Sequence, residues 1–313
     1  MDAIGFALAQ STEPYRWKRI STIPFSDGEM RAEIVGDKVY VISRNYNQVY
    51  DLRSGTWAQE PALPEERRRS RFSSCVVGTN IYVIGGSKVI DDNLDDRNTP
   101  LFVDIYDTAN KKWSILASDT FNVHSAGCAA VGDKIYLFGG ANRALYGYQQ
   151  PLSSARVLDL ATSVWSNTAQ IPREISEMGI AALDNKIYLL GGYTIISFTN
   201  KQLLKEVYAY DITAKTWGRC PDLNSARTAL AGASVGKEVF ALCGIESAMV
   251  ESYSPQSNAV AIRQSPTSVR SYFGAVQWNG SIYVFGGDKE HSVEVFQPNG
   301  TNMDALLAWL ATR

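Results

Sequence analysis

Histidines, cysteines and close carboxylate pairs are the side chains best suited to hold a metal or attack a substrate, and here they are sparse. His124 and His291 are the only histidines in 313 residues. Cys75, Cys128, Cys220 and Cys243 make no Cys-x-x-Cys pair and fall in no metal-ligand spacing with either histidine. Cys75, Cys128 and Cys243 lie in apolar stretches, where buried free thiols are expected. His124 precedes Ser125, but no Ser-His-Asp or Cys-His set assembles. No metal and no cofactor is therefore expected. The remaining chemistry belongs to Arg69, Arg71, Arg227 and Arg270, with Glu29, Glu177, Ser125 and Tyr272. What relates these eight residues is a repeat.

The phrase VGDKIYLFGG at 131–140 recurs as VGTNIYVIGG (77–86), LDNKIYLLGG (183–192) and WNGSIYVFGG (278–287), with weaker copies at 35–44 and 235–244. The second residue of each copy is a marker: Gly36, Gly78, Gly132, Asp184, Gly236 and Asn279. Each copy reads as a hairpin, with an apolar strand in, a tight turn, and an apolar strand out to a glycine pair. A third strand ends on Tyr50-Asp51, Tyr106-Asp107, Leu158-Asp159 or Tyr210-Asp211. Six residues after each Asp, a tryptophan (Trp57, Trp113, Trp165, Trp217) opens a fourth. Four short antiparallel strands per unit make a propeller blade.

Ring closure is legible in one spacing. Trp113, Trp165 and Trp217 each stand 19 residues before the next marker, and so does Trp17 before Gly36. Trp17 thus holds a fourth-strand position with no blade ahead of it, while the last unit has a third strand near Val293–Phe296 and no fourth. Residues 15–20 are expected to complete the last blade, which removes an open sheet edge. Val260 stands where the fifth unit should carry tryptophan. The expected layout is a loosely attached segment at 1–14, a propeller at 15–298, and a tail at 299–313 with a short amphipathic helix.

The glycine pair, the aromatic-Asp step and the spaced tryptophan resemble the kelch motif, whose period is about 50 residues. The resemblance covers residues 15–298 and implies an all-β, six-bladed kelch propeller. It says little about function, because one fold hosts unrelated activities.

The repeat supplies a register for the functional residues. Nine residues before each marker stand Asp27, Arg69, Val123, Ile175, Arg227 and Arg270; two residues later stand Glu29, Arg71, Ser125, Glu177, Ala229 and Tyr272. Both sets fall at the upstream ends of the innermost strands, so charge is expected at one mouth of the central funnel. The loops 87–102, 141–154 and 193–204 open on the same face and would wall it on one side. In kelch proteins resembling ubiquitin-ligase adaptors, arginines at these positions grip acidic peptides. The resemblance implies that role for Arg69, Arg71, Arg227 and Arg270, whose planar forks suit carboxylates. Val123, Ile175, Glu29 and Glu177 depart from the pattern. The structural alternative pairs Glu177 with Arg227, and Glu29 with Arg69 or Arg71.

The expectation is a binding platform for a protein or acidic peptide, more a module than an enzyme. The alternative is a cofactor-free sugar-acid mutarotase of the sialate type, a class that also includes kelch propellers. A net charge of −2 points away from nucleic acid. No apolar run is long enough to cross a bilayer. A monomer in the cytoplasm is expected. The alternative is a secreted or periplasmic protein, with Ile4–Ala9 as the remnant of an export signal.

Overall fold

The computed structural model describes residues 15–90, 93–95, 101–119, 121–143, 149–197 and 200–298. They form an all-β, six-bladed propeller. Strands a to d run from the channel outward in each blade. Blade 1 is Met30–Val35, Lys38–Ser43, Asn47–Asp51 and Thr56–Glu60; blade 2 is Ser73–Val77, Asn80–Ile84, Leu101–Asp107 and Lys112–Asp119. Blade 3 is Gly127–Val131, Lys134–Phe138, Ala155–Asp159 and Val164–Asn167; blade 4 is Gly179–Leu183, Lys186–Leu190, Val207–Asp211 and Thr216–Cys220. Blade 5 is Ala231–Val235, Glu238–Leu242, Val250–Ser254 and Ala259–Arg263.

Blade 6 closes the ring. Its strands a to c are Gly274–Trp278, Ser281–Phe285 and Ser292–Pro298, and its strand d is Tyr15–Thr22 from the other end of the chain. Trp17 lies opposite Phe296, and the pairing runs from Tyr15 with Pro298 to Thr22 with Ser292. The closing strand expected from the spacing is present. Segments 1–14 and 299–313, including the expected C-terminal helix, lie outside the described residues.

The repeated residues have separate jobs. The carboxylate of Asp51 caps the turn that follows it, accepting from the backbone N–H groups of Arg53 at 2.9 Å and Ser54 at 2.8 Å. Asp107, Asp159 and Asp211 do the same in blades 2 to 4. Each tryptophan reaches back toward the preceding blade. The indoles of Trp113, Trp217 and Trp17 donate at 2.7 Å to the carbonyls of Pro61, Ala169 and Gln264, just after strand d of blades 1, 3 and 5. Apolar clusters fill the spaces between blades; one joins Tyr40, Ile42 and Val49 of blade 1 to Ile81, Val83 and Tyr106 of blade 2.

The glycine pairs allow close approach. A Cβ on Gly85 would lie 2.5 Å from the Val123 carbonyl oxygen, and Gly85 sits at φ +65°. That approach lets the Gly86 N–H donate to Val123, the register residue of the next blade, at 2.9 Å. Beyond the pairs, the long loops of blades 2 to 4 contain two-stranded ribbons: Lys88–Ile90 with Asn93–Asp95, Ala141–Arg143 with Gln149–Pro151, and Tyr193–Ser197 with Asn200–Leu203.

Deleting residues 1–22 strips strand d from blade 6 and exposes the edge of Ser292–Pro298. The expected outcome in thermal melts and light scattering is aggregation or a large loss of stability. A truncated protein that melts like the full chain would contradict the closure.

Candidate binding site

The structure divides the two register sets between core and channel. Arg69, Arg227 and Arg270 are buried inside their own blades. Arg69 pairs with Asp104 at 2.7 Å, Arg227 with Glu251 at 2.9 Å and Arg270 with Glu294 at 2.9 Å. Each acid stands on strand c of the same blade. The guanidiniums also bond the ends of strand b: Arg69 to the carbonyls of Val83 and Gly85, and Arg270 to that of Gly286 at 2.8 Å. Burial pulls Arg69 down to about 10, against the opposing pull of Asp104.

These three arginines therefore do not line the mouth, which corrects the expectation drawn from the resemblance. The cause is local. Two residues before the channel-facing position, the chain still runs beneath its own hairpin, and the side chain turns into the blade. The suggested pairing of Glu177 with Arg227 also does not form. That of Glu29 with Arg71 does, at 3.4 Å.

The second register set makes the mouth. Arg71, Ser125, Glu177, Ala229 and Tyr272 all have left-handed backbones, with φ between 52° and 57°. In an L-residue that conformation costs about 1–2 kcal/mol, and it marks sites where surrounding structure enforces it. Here the enforcing structure is a ring of hydrogen bonds. Ser125 N–H donates to the Arg71 carbonyl at 2.8 Å, Glu177 to Ser125 at 3.1 Å, Ala229 to Glu177 at 2.9 Å, Tyr272 to Ala229 at 3.1 Å, and Met30 to Tyr272 at 2.9 Å. The Glu29 carboxylate completes the circle by accepting from the Arg71 N–H at 3.1 Å.

Within this ring Glu177 is almost fully buried; one carboxylate oxygen accepts from the Thr228 hydroxyl at 3.0 Å. The Ser125 hydroxyl lies 3.1 Å from the His124 imidazole. Although burial opposes its charge, Arg71 is held above its ordinary value by Glu29, Tyr272 and Glu177. Burial and then the field of Glu177 push Tyr272 strongly upward.

Ser125, Glu177 and Tyr272 lead into a channel of about 470 Å³. Two of its lining residues were not foreseen: Arg31 and Glu33, on strand a of blade 1. Five residues before their markers, the other blades carry Ser73, Gly127, Gly179, Ala231 and Gly274. Arg31 is the one large side chain at that level, and the alignment of copies could have singled it out. The Glu33 carboxyl accepts from the Ser74 hydroxyl at 2.6 Å. Burial pushes it up to about 7, against the opposing effects of Ser74 and Arg31.

All four cysteines are free thiols. Among the described residues no group of three or more His, Cys, Asp or Glu side chains could hold a metal ion. No described helix is long and apolar enough to cross a membrane.

The Kelch motif family matches residues 68–120, 123–170 and 175–224, which are blades 2 to 4 with their connections. With six copies in phase and a ring closed by the N-terminal strand, the assignment is decided. The chain belongs to the kelch-repeat β-propeller family. Similar proteins include Kelch-like protein terF of Aspergillus terreus, 25% identical over 257 residues that cover 75% of this chain and 54% of that protein. Kelch-like protein 36 of Bos taurus is 26% identical over 247 residues, 76% of this chain and 38% of that protein. Kelch-like protein 23 of Homo sapiens is 25% identical over 241 residues, 76% and 40% of the two chains. The aligned part spans about half or less of the length of these curated relatives.

Glu33 makes the stability of this kelch propeller depend on pH. Its value is raised from the ordinary 4.5 to about 7, so between those values the folded protein is the better proton binder. Stability from this group is greatest below pH 4.5 and falls as pH rises toward 7. Melting temperatures across this range should decline more steeply in the native protein than in Glu33→Gln. Parallel profiles would show that Glu33 titrates as it does in the unfolded chain.

Proposed function

We propose that this kelch propeller is a protein-interaction module whose partner inserts a peptide segment into the mouth ring. The observation that carries the reading is the ring itself. Five residues from five blades hold an unfavourable backbone conformation around the opening of the channel, and three of them present Arg71, Glu177 and Tyr272. The surrounding face suits a partner. Phe25, Ile196, Leu203, Ile245 and Val269 are exposed large apolar residues in its loops and ribbons, apolar surface that a partner would cover.

The resemblance implied a grip on acidic peptides. With Arg69, Arg227 and Arg270 neutralised inside the blades, the ring retains Arg71 against Glu29 and Glu177. We therefore propose a partner segment of mixed polarity, with a carboxylate or carbonyl toward Arg71, a donor toward Glu177 and apolar anchors for the face. The named relatives are Kelch-like proteins, which favours interaction over sugar-acid epimerase chemistry.

Glycine substitution tests this reading, because it removes a side chain where the backbone already favours glycine. A charged hydrogen bond contributes about 1.5–3 kcal/mol, so Arg71→Gly and Tyr272→Gly should each weaken a peptide selected from a displayed random library about ten- to hundredfold. Melting temperatures should stay within about 3 °C of the native value. Peptides that bind all three proteins equally would place the interaction elsewhere.

A further inference from the structure

We propose that the channel interior holds a small monocarboxylic acid, with its carboxylate seated on the guanidinium of Arg31 beneath the mouth ring. The ligand and the site are distinct from the partner segment at the mouth.

Arg31 differs from the other inward-turned arginines. Arg69, Arg227 and Arg270 each meet a carboxylate within 2.9 Å. Arg31 has one hydrogen bond, from Nη1 to the neighbouring Met30 carbonyl at 3.0 Å, and no described carboxylate within ion-pair distance. It is half-buried, lines the channel, and has its value lowered by burial. Its N–H groups other than the one on Met30 have no partner within hydrogen-bond distance among the described residues, and they form a planar fork that matches a carboxylate.

The surroundings set the ligand's size and charge. A channel of about 470 Å³ lies within the range of small-molecule sites. Its walls near this level are small: Ala32, Ser74, Gly232 and Gly274. The charged and titratable groups that act on Arg31 are Glu29, Tyr272, Glu33 and Glu177. Arg71 also stands in the ring, paired with Glu29. Arg71 is paired with Glu29, and Arg31 meets no described carboxylate at ion-pair distance, so a ligand carboxylate competes chiefly with Glu33. While Glu33 keeps its proton, Arg31 is open to one negative charge. A phosphate dianion would bring a second charge that no described side chain meets.

Glu33 therefore tunes affinity. Below about pH 7 its carboxyl is neutral; above, its own charge competes for Arg31. Binding confined to the protonated form falls about tenfold from pH 6 to pH 8.

Saturation-transfer NMR with acetate and propionate, and with propionamide as the uncharged control, tests the seat. The acids should receive saturation at pH 6 and propionamide should not. The signal should be lost in Arg31→Met, should fall about tenfold by pH 8 in the native protein, and should stay level in Glu33→Gln. No transfer to either acid, equal transfer to propionamide, or an unchanged signal in a folded Arg31→Met would overturn the proposal. If the acids give no signal while an acidic peptide bound at the mouth weakens in Arg31→Met, the seat belongs to the partner's side chain. That result defeats the free acid and leaves the mouth reading intact.

Discussion

A guanidinium taken out of water must be met by a carboxylate and by carbonyl groups, and that requirement organises three of the six blades. In blades 2, 5 and 6 an arginine just upstream of the innermost strand reaches under its own hairpin to an acid on strand c. It fastens the start of strand a to the end of strand b and the middle of strand c in one contact. Blades 3 and 4 reach the same arrangement with Val123 and Ile175, both buried against apolar neighbours. In every case the register carbonyl or its apolar side chain is fixed, and the chain must turn sharply before strand a begins.

That sharp turn forms the mouth. Two residues after the anchor, the backbone enters the left-handed region in blades 2 to 6; in blades 3 to 6 each N–H finds the carbonyl of the preceding blade, and in blade 2 the Arg71 N–H finds the Glu29 carboxylate. The side chains at that position point where no strand ladder needs them. The strain falls on the residues that face the opening, and the anchors keep it there. Anchor and mouth positions thus alternate at a spacing of two residues: Arg69 holds the blade and Arg71 stands in the ring; Arg270 holds the blade and Tyr272 stands in the ring.

Most of the fold was legible because its signals are repeated. Six markers in phase located the hairpins, and the 19-residue step from Trp17 to Gly36 located the closing strand. The site was half legible. The register placed Arg71, Ser125, Glu177 and Tyr272 at the mouth, but it could not separate them from Arg69, Arg227 and Arg270, since direction is lost when a strand has not yet begun. A finer signal was present. Asp104, Glu251 and Glu294 hold equivalent places opposite strand b, where the other blades carry Gln48, Arg156 and Tyr208. Acids stand there only in blades that carry the upstream arginine. Arg31 carries no repeat signal, since its meaning lies in being the exception among Ser73, Gly127, Gly179, Ala231 and Gly274.

The anchoring role of the buried pairs can be measured in one blade by a double-mutant cycle on Arg227 and Glu251, using urea unfolding. Removing either partner alone leaves a buried charge unpaired and should destabilise the protein by about 3–5 kcal/mol. Replacing both with Met and Leu should cost far less than the sum of the two single changes, since the second substitution removes the charge that the first one stranded. A double variant whose loss equals that sum would mean that the two side chains do not hold one another, and that the blades start their inner strands by some other means.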